Sequence, residues 1–419
     1  MKSKIRIISM AMLIVLLTLS LSSCYLLDPS MSALGGSTNI NVDDVNNYDV
    51  DVTTNEDGTV IGTSKALMSV VSIAAKFRKA TPTIPSFGTS SNESVSWGSG
   101  VIFKMSEDKS TAYILTNYHV VFNTSVSSDI NVFLYGKESY LYESGDTLGC
   151  AIKATYLGGS MAYDLAVLKV ENSKILMESN AQACTFANSN DVAILETAIA
   201  IGNAKGNGIS ATMGRVNVDS EYISMLGPDD STKVTLRVMR TDAAVNSGNS
   251  GGGLFNEKGE LIGIVNAKLV DSTVDNIGYA IPSNVAKYIA ENIIHYCDGD
   301  SSLRSVYRCM LDIGVTVNDI YTEYDTEKAL LYKRETVAVS SIDDNSAVKG
   351  VLKVGDVINS ITIDTETYEV NRMFHVIDSM LNARVGSTVV FNITRGGTDM
   401  EATVSITQSM LKNADAIEQ

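Results

Sequence analysis

The stretch TDAAVNSGNSGGGLFN, Thr241 to Asn256, crowds four glycines around Ser250 and then leads into GELIGIV, Gly259 to Val265, which reads as a strand. Glycine turns sharply and accepts positive φ, so the backbone N–H groups of Gly248 and Ser250 are free to face a single point. By themselves such residues describe a tight β-turn with a spare hydroxyl. A flexible linker needs no such specific order, whereas a site built from backbone donors does. The choice between turn and site rests on what the remainder of the chain supplies.

Outward from that stretch, the chain between Trp97 and about Ile281 is a succession of short β-rich runs: GSGVIF, AYILTN, DINVFLY, CAIKATYL, DLAVLKV, TAIAIGN, KVTLRVM and LIGIVNAKL. Their spacing and intervening turn residues predict an antiparallel all-β barrel or sandwich rather than βαβ units. Upstream, SKALMSVVSIAAKF from Ser64 predicts a short helix running into a strand, and TPTIPSFGTSSNES a loop by its Pro, Gly and Ser content. The run from Pro282, PSNVAKYIAENIIHYC, places apolar residues at helical spacing and closes the region as an amphipathic helix. A second unit of roughly 100 residues begins near Ser305. It reads as strands at IGVTVNDI, TVAVSSI and DVINSITI, a helix at NRMFHVIDSMLNA, and strands at STVVFNITRGG and EATVSI.

Composition removes several classes. The chain of 419 residues has room for two or three domains, and 45% apolar with 19% charged residues excludes global disorder. A net charge of −16 argues against nucleic acid, since no basic patch is available to neutralise phosphates. No nucleotide-binding loop or internal repeat is present, and the three histidines lie too far apart to suggest a local metal motif, so neither cofactor nor metal is expected.

The N-terminus speaks to location. Lys2, Lys4 and Arg6 precede an apolar run from Ile7 to Leu21, short for a membrane span and suited to a signal-peptide core. It closes with LSSC, ending at Cys24, which resembles the lipobox of bacterial lipoproteins; an ordinary signal peptide or uncleaved anchor is the alternative. The lipoprotein reading makes 1–23 a signal peptide, Cys24 the lipidated residue, and the protein an envelope lipoprotein facing the extracytoplasmic side. Residues 24–63 then form a solvated acidic tether, because NVDDVNNYDVDVTTNEDG holds six acids and no Lys or Arg. Cys150, Cys184, Cys297 and Cys309 fit no metal site; free buried thiols are favoured, with one or two disulfides left open.

Serine hydrolysis needs a base for the hydroxyl proton, a carboxylate to orient that base, and N–H donors for the oxyanion. Of the three histidines, His295 sits on the amphipathic helix and His375 in the second unit, as surface or packing residues. His119 lies just past the strand AYILTN, and GGSMAYDLAVLKV puts Asp164 between a loop and a strongly apolar strand, a poor place for an unpartnered carboxylate.

Taken together and in this order, LTNYHVV, YDLAVLKV and TDAAVNSGNSGGGLFN closely resemble the trypsin-like serine peptidases of the HtrA/Deg family. WGSGVIF, AIAIGNAKG, GELIGIVNAK and IGYAIPSNVAK share the resemblance, which covers roughly Ser64 to Ala290. DIGVTVNDI, SAVKGVLKVGDVI and VGSTVVFNITRGG resemble a PDZ domain. The resemblance implies an all-β protease of two antiparallel six-stranded β-barrels (64–298) plus a small α+β PDZ domain (305–410). It implies Ser250 as nucleophile, His119 as general base and acid, Asp164 as its orienter, and Gly248, Asn249 and Ser250 as the oxyanion loop. Ile277, Gly278, Tyr279 and Ala280 would line the substrate cleft, with an S1 pocket for small aliphatic residues. Ile313, Gly314 and Val315 would receive a peptide C-terminus as an added strand. The implied activity is endopeptidase cleavage of unfolded or misfolded exported proteins, and the implied assembly a homo-oligomer, a trimer or multiple of it. A latent or inactive protease acting as chaperone or PDZ adaptor is the alternative. An esterase on another fold fits poorly, because no Gly-x-Ser-x-Gly elbow follows a strand and opens a helix.

Three departures from the family pattern stand out. Gly253 replaces the usual proline, which is expected to loosen the exit of the active-site loop. Asp312, beside the carboxylate-binding loop, is expected to weaken binding of a peptide terminus by like-charge repulsion. TIDTETYEV replaces a short Asn-Gly turn.

Overall fold

A computed structural model describes residues 58–78, 93–137, 150–269, 277–299 and 303–416. The signal peptide, Cys24, the tether up to residue 57 and most of the loop read at 81–94 lie outside the described residues. Helix α1, Gly58–Leu67, opens inside the stretch read as tether, so the folded part begins earlier than residue 64. The reason is packing: the Gly62 backbone lies so close to Glu257 and Gly259 that a Cβ there would collide with both, and Ala66 is 2% exposed within the core.

Strands β1 (Val70–Arg78), β2 (Glu93–Met105), β3 (Thr111–Thr116), β4 (Asp129–Leu134), β5 (Ile152–Ser160) and β6 (Leu165–Glu171) close a first barrel in the order β1-β2-β3-β6-β5-β4. A strand buried on one face alternates, yet LAVLKV is apolar almost throughout. Both faces of β6 are covered: Ala166, Leu168 and Val170 fill the barrel interior, while Leu165 and Val167 join a second cluster outside it.

The second barrel uses β7 (Thr185–Phe186), β8 (Thr197–Gly202), β9 (Ser210–Leu226), β10 (Lys233–Thr241), β11 (Gly253–Phe255), β12 (Glu260–Val265) and β13 (Gly278–Pro282). Six of these run β11-β8-β9-β10-β13-β12, with β11 pairing back to β12 to close the ring and β7 added in parallel to β12. The 17-residue β9 was not foreseen, and its pattern explains why: Val216 is its one buried residue, so it carries no apolar alternation. Helix α2 (Tyr118–Val121) follows β3, and α3 (Ser283–Cys297) spans the seam between barrels. Val285, Ala286, Ile289, Ala290 and Ile293 of α3 pack with Leu165 and Val167 of the first barrel and Leu261 and Ile264 of the second. Each of the Val, Leu and Ile side chains among them contributes about 1.5–3 kcal/mol when fully buried.

The C-terminal unit has a sheet β15-β16-β17-β19-β20, from Ile313–Asp325, Leu330–Ile342, Val357–Ile363, Thr388–Arg395 and Thr398–Ser405. Strand β18 (Glu366–Glu369) pairs with β17 through a turn at Asp364, φ +54, where TIDTETYEV replaces Asn-Gly. Helix α4 (Met373–Ser379) covers the sheet. A two-stranded ribbon of β14 (Tyr307–Cys309) and β21 (Leu411–Asn413) completes the unit, and the ordered chain continues past residue 410 to a short 3₁₀ turn at Ala414–Ala416. Among the described residues β15 is paired on one side only, which makes it one of the two edge strands of the sheet, open to the addition of another strand.

The two units share buried polar contacts. Arg237 of β10 meets Asp378 at 2.6 Å and lies 4.1 Å above the Phe374 ring, while Arg372 reaches Asp219 at 3.0 Å and Glu335 at 3.1 Å. Asn292 of α3 donates to Tyr307 O and Leu381 O at 2.7 and 3.2 Å. The four described cysteines are free thiols. No helix among the described residues is long and apolar enough to cross a membrane.

Candidate active site

His119 reaches the surface of the first barrel because β3 ends at Thr116 and the chain turns at once into the four-residue helix α2. Val120 and Val121 anchor that helix in the barrel, and Gly98 leaves the room that Val120 occupies. The helix cap is unusual. Asn117 does not cap with its side chain; its Nδ2 donates instead to Asp164 O at 2.9 Å, and Tyr118 N–H donates to the same carbonyl at 3.2 Å. The histidine turn and the aspartate turn are thereby tied through their backbones.

Asp164 is 1% exposed, and a buried carboxylate is tolerated only with partners. It has three. His119 Nδ1 lies 2.7 Å from Oδ2, His119 N–H donates to Oδ1 at 2.9 Å, and Asn266 Nδ2 donates to Oδ2 at 2.8 Å. With Nδ1 directed at the carboxylate, the opposite ring nitrogen of His119, Nε2, is left as the proton acceptor. His119 keeps 17% of its side chain exposed, enough to meet a substrate.

Ser250 comes from the second barrel, in the turn between β10 and β11, and is 5% exposed. Its hydroxyl oxygen accepts Ala267 N–H at 3.2 Å, and no hydrogen bond joins it to the His119 ring. Catalytic hydrogen bonds are often long before substrate arrives, and rotation about one χ1 bond redirects this hydroxyl. Asn266 and Ala267 are adjacent, so two consecutive residues after β12 hold the carboxylate and the serine.

The donors of the loop follow from peptide geometry. In a trans peptide the carbonyl and the next N–H point in opposite directions. Ser247 O accepts Lys205 N–H at 2.8 Å, which turns Gly248 N–H away from Lys205; Asn249 O accepts Gly252 N–H at 2.9 Å, which does the same for Ser250 N–H. Neither N–H has a hydrogen-bond partner among the described residues. Asn249 differs: its own N–H is spent on Asn246 O at 2.9 Å, so it shapes the turn. Gly248 adopts φ +96 and Gly251 φ +83, and a Cβ at Gly251 would strike Ser99 O and Thr116 Oγ1.

Ser99, wholly buried in β2, is the residue that sequence reasoning missed. Its Oγ donates to Gly248 O at 2.7 Å and accepts Asn203 N–H at 2.7 Å, and its N–H donates to Ser250 O at 2.8 Å. The first barrel thus grips the loop of the second. Gly253 also departs from expectation. It lies inside β11, paired with Ile201 and Ile264, and the Phe255 ring fills the space a side chain there would need, so the loop exit is fixed.

Within the expected substrate cleft, Ile277 precedes β13 and is half-buried. Gly278, whose Cβ would press on Val245, and Ala280 are buried, and Tyr279 O accepts Asn266 N–H at 2.9 Å. The strand therefore lies against the segment leading to Ser250 and against the residue holding Asp164. At the C-terminal unit, Ile313 and Val315 line a cavity of about 160 Å³ with Arg308, Leu311, Val376 and Met380, while Gly314 is not among its lining residues. Asp312, at φ +51, also lines it.

The remaining histidines lie apart from this site. His295 is exposed on α3, edge-on to Tyr296. His375 is 6% exposed, and burial, reinforced by Arg237, holds its pKa down to about 3. Among the described residues no group of His, Cys, Asp and Glu could hold a metal ion.

Residues 98–264 match the trypsin-like peptidase domain family and residues 312–406 the PDZ domain family. The chain is 32% identical over 339 residues to the serine protease Do-like HtrA of Bacillus subtilis, covering 78% of this chain and 68% of that protein. It is 30% identical over 322 residues to the Do-like HtrA of Lactococcus lactis subsp. cremoris, covering 74% and 71%. Against the periplasmic serine endoprotease DegP of Escherichia coli K12 it is 28% identical over 322 residues, covering 76% and 58%.

Proposed function

The chain belongs to the HtrA family of serine proteases and is a serine endopeptidase, and from that premise we propose that Ser250, His119 and Asp164 cleave unfolded or misfolded exported proteins through an acyl-enzyme. The observation that carries the proposal is the buried Asp164 carboxylate, whose Oδ2 is 2.7 Å from His119 Nδ1 and whose Oδ1 receives His119 N–H at 2.9 Å. Such a carboxylate fixes the tautomer and stabilises the imidazolium.

The steps follow from the geometry. Ser250 Oγ attacks the scissile carbonyl as His119 Nε2 takes its proton, and the oxyanion meets the free N–H groups of Gly248 and Ser250. The imidazolium returns the proton to the leaving amine, which departs with the C-terminal half of the substrate. Water, deprotonated by the same imidazole, then hydrolyses the ester and restores Ser250. Each oxyanion donor accounts for roughly 3–4 kcal/mol in proteases where one has been removed.

Around that centre, Ile277, Gly278, Tyr279 and Ala280 form one wall of the substrate cleft. The groove at Ile313 and Val315, next to the open edge of β15, takes a peptide C-terminus with an apolar last residue. A lipid on Cys24 would hold the enzyme at the extracytoplasmic face of the envelope, two acyl chains sufficing at about 0.8 kcal/mol per buried methylene. The working form is a homo-oligomer.

A fluorophosphonate probe tests the chemistry. Wild-type protein is expected to be labelled at Ser250 and to degrade casein, and Ser250→Ala to do neither while melting normally. Casein cleavage by Ser250→Ala, or a wild type that takes no probe, would refute the assignment.

A further inference from the structure

The turn that carries Asp164 takes a left-handed backbone, and besides Asn117, Tyr118, His119 and Asn266 it is held from far along the chain. Asp164 has φ +48, a left-handed conformation that is uncommon for a residue with a side chain although open to aspartate. Within the turn, Asp164 N–H reaches Met161 O at 3.2 Å. The Ser160 hydroxyl and the Ala162 N–H, at residues 0% and 7% exposed, find their partner outside the barrel. Both donate to one atom, Asp415 Oδ1, at 2.5 and 2.9 Å, across 255 and 253 residues of sequence. On either side of them, Gly159 N–H donates to Arg304 O at 3.2 Å and Arg308 Nη1 donates to Tyr163 OH at 3.3 Å.

Asp415 is exposed, and it is held through its backbone and its buried neighbour. Ala414, beside it, is 4% exposed and donates its N–H to Val306 O at 2.9 Å, and Asp415 N–H donates to Asn413 Oδ1 at 2.9 Å. Strand β21 pairs with β14 so that Lys412 faces Arg308. The ribbon carries Arg308 and the short turn directly after it carries Asp415, so both of these contacts to the Asp164 turn come from one place, which is packed on the C-terminal unit through Met310 N–H to Met410 O at 2.8 Å.

We infer that the β14–β21 ribbon and the turn that follows it are a positioning element of the active site, with Asp415 as the principal residue: by gripping Ser160 and Ala162 it holds Asp164 in the conformation that meets His119. The inference rests on Asp164 serving as the carboxylate of His119. Asp415 touches neither substrate nor reacting atoms, so its effect belongs to catalytic geometry rather than to substrate binding. Misplacement of a catalytic group by a change far from the chemistry costs up to about 100-fold in rate.

The test is a kinetic comparison of full-length wild type, Asp415→Ala, Asp415→Asn and Ser160→Ala on an unfolded substrate, with fluorophosphonate labelling and thermal melting alongside. Asp415→Ala is expected to lower kcat and the labelling rate roughly 10- to 100-fold while KM stays within about twofold. Asp415→Asn keeps an oxygen that accepts both donors, and is expected to recover most of the loss. Ser160→Ala, which removes one hydroxyl and leaves the chain otherwise unchanged, is expected to fall between them; it decides the question if Asp415→Ala does not fold. An active wild type with unimpaired Ser160→Ala and Asp415→Ala overturns this inference alone, as does an Asp415→Asn no better than the alanine variant. A wild type that neither cleaves nor takes up probe overturns the proposed chemistry along with it.

Discussion

Asn266→Ala is the most direct probe of how the site is held. Asn266 is 0% exposed, and its Nδ2 is one of two donors to Asp164 Oδ2, at 2.8 Å against 2.7 Å for His119 Nδ1. Its backbone N–H to Tyr279 O survives the substitution, so β13 stays in place. What is lost at Asp164 is one hydrogen bond to a buried carboxylate, worth about 1.5–3 kcal/mol, together with the longer bond by which Lys268 N–H donates to Asn266 Oδ1 at 3.2 Å. If that bond serves the transition state, kcat/KM falls roughly 10- to 150-fold. The isosteric Asn266→Asp separates position from charge. It puts a second carboxylate against Asp164, where two buried acids in contact cannot both ionise, and a greater loss than with alanine is expected. The assay is kcat/KM on an unfolded peptide substrate, with a thermal melt to establish that the fold persists. An alanine variant within about twofold of wild type, or an aspartate variant faster than the alanine one, would refute the reasoning.

Ser99→Ala removes the hydroxyl that joins Gly248 O to Asn203 N–H and leaves a buried pair unsatisfied, so a loss of about 1–3 kcal/mol is expected in stability or acylation; an unchanged melt with unchanged labelling rate would contradict it. His375 has its pKa lowered from 6.5 to about 3 by burial, so the unfolded chain binds the proton first. Its contribution is complete above about pH 6.5 and is lost as pH falls towards 3, with a slope of at most ~1.4 kcal/mol per pH unit. Denaturant titrations of His375→Asn between these limits should show a shallower decline, and an identical decline would rule the histidine out. Arg237→Ala strands Asp378 at a site where the two side chains are 7% and 14% exposed, a destabilisation of about 3–5 kcal/mol. Arg237→Ala/Asp378→Ala should recover part of that loss, and no recovery would mean the pair is not coupled.

The barrels and the trio His119, Asp164 and Ser250 could be read along the chain because each lies in a local pattern: a strand end, a polar residue before a doubly buried strand, a glycine-rich turn. Asn266 carried a faint signal, a polar residue directly after the apolar run LIGIV, but it was read as the continuation of a strand. Ser99 lies within WGSGVIF, where nothing local reveals that its hydroxyl crosses to the other barrel. Strand β9 escaped because 16 of its residues are not buried and hydrophobic periodicity reports burial alone. Gly253 was read as looseness, whereas glycine there is set by the neighbouring Phe255 ring, a steric fact invisible in one dimension. Asp415 had no signal at all.

The grip of Asp415 on Ala162, 253 residues earlier, also has a meaning in time. A chain is made from its N-terminus, so His119, Asp164 and Ser250 are all synthesised before the residue that steadies the Asp164 turn. If the acid turn settles only when Asp415 arrives, the protease becomes competent after the segment most at risk of being cut has folded, and the order of synthesis itself protects the chain from its own activity.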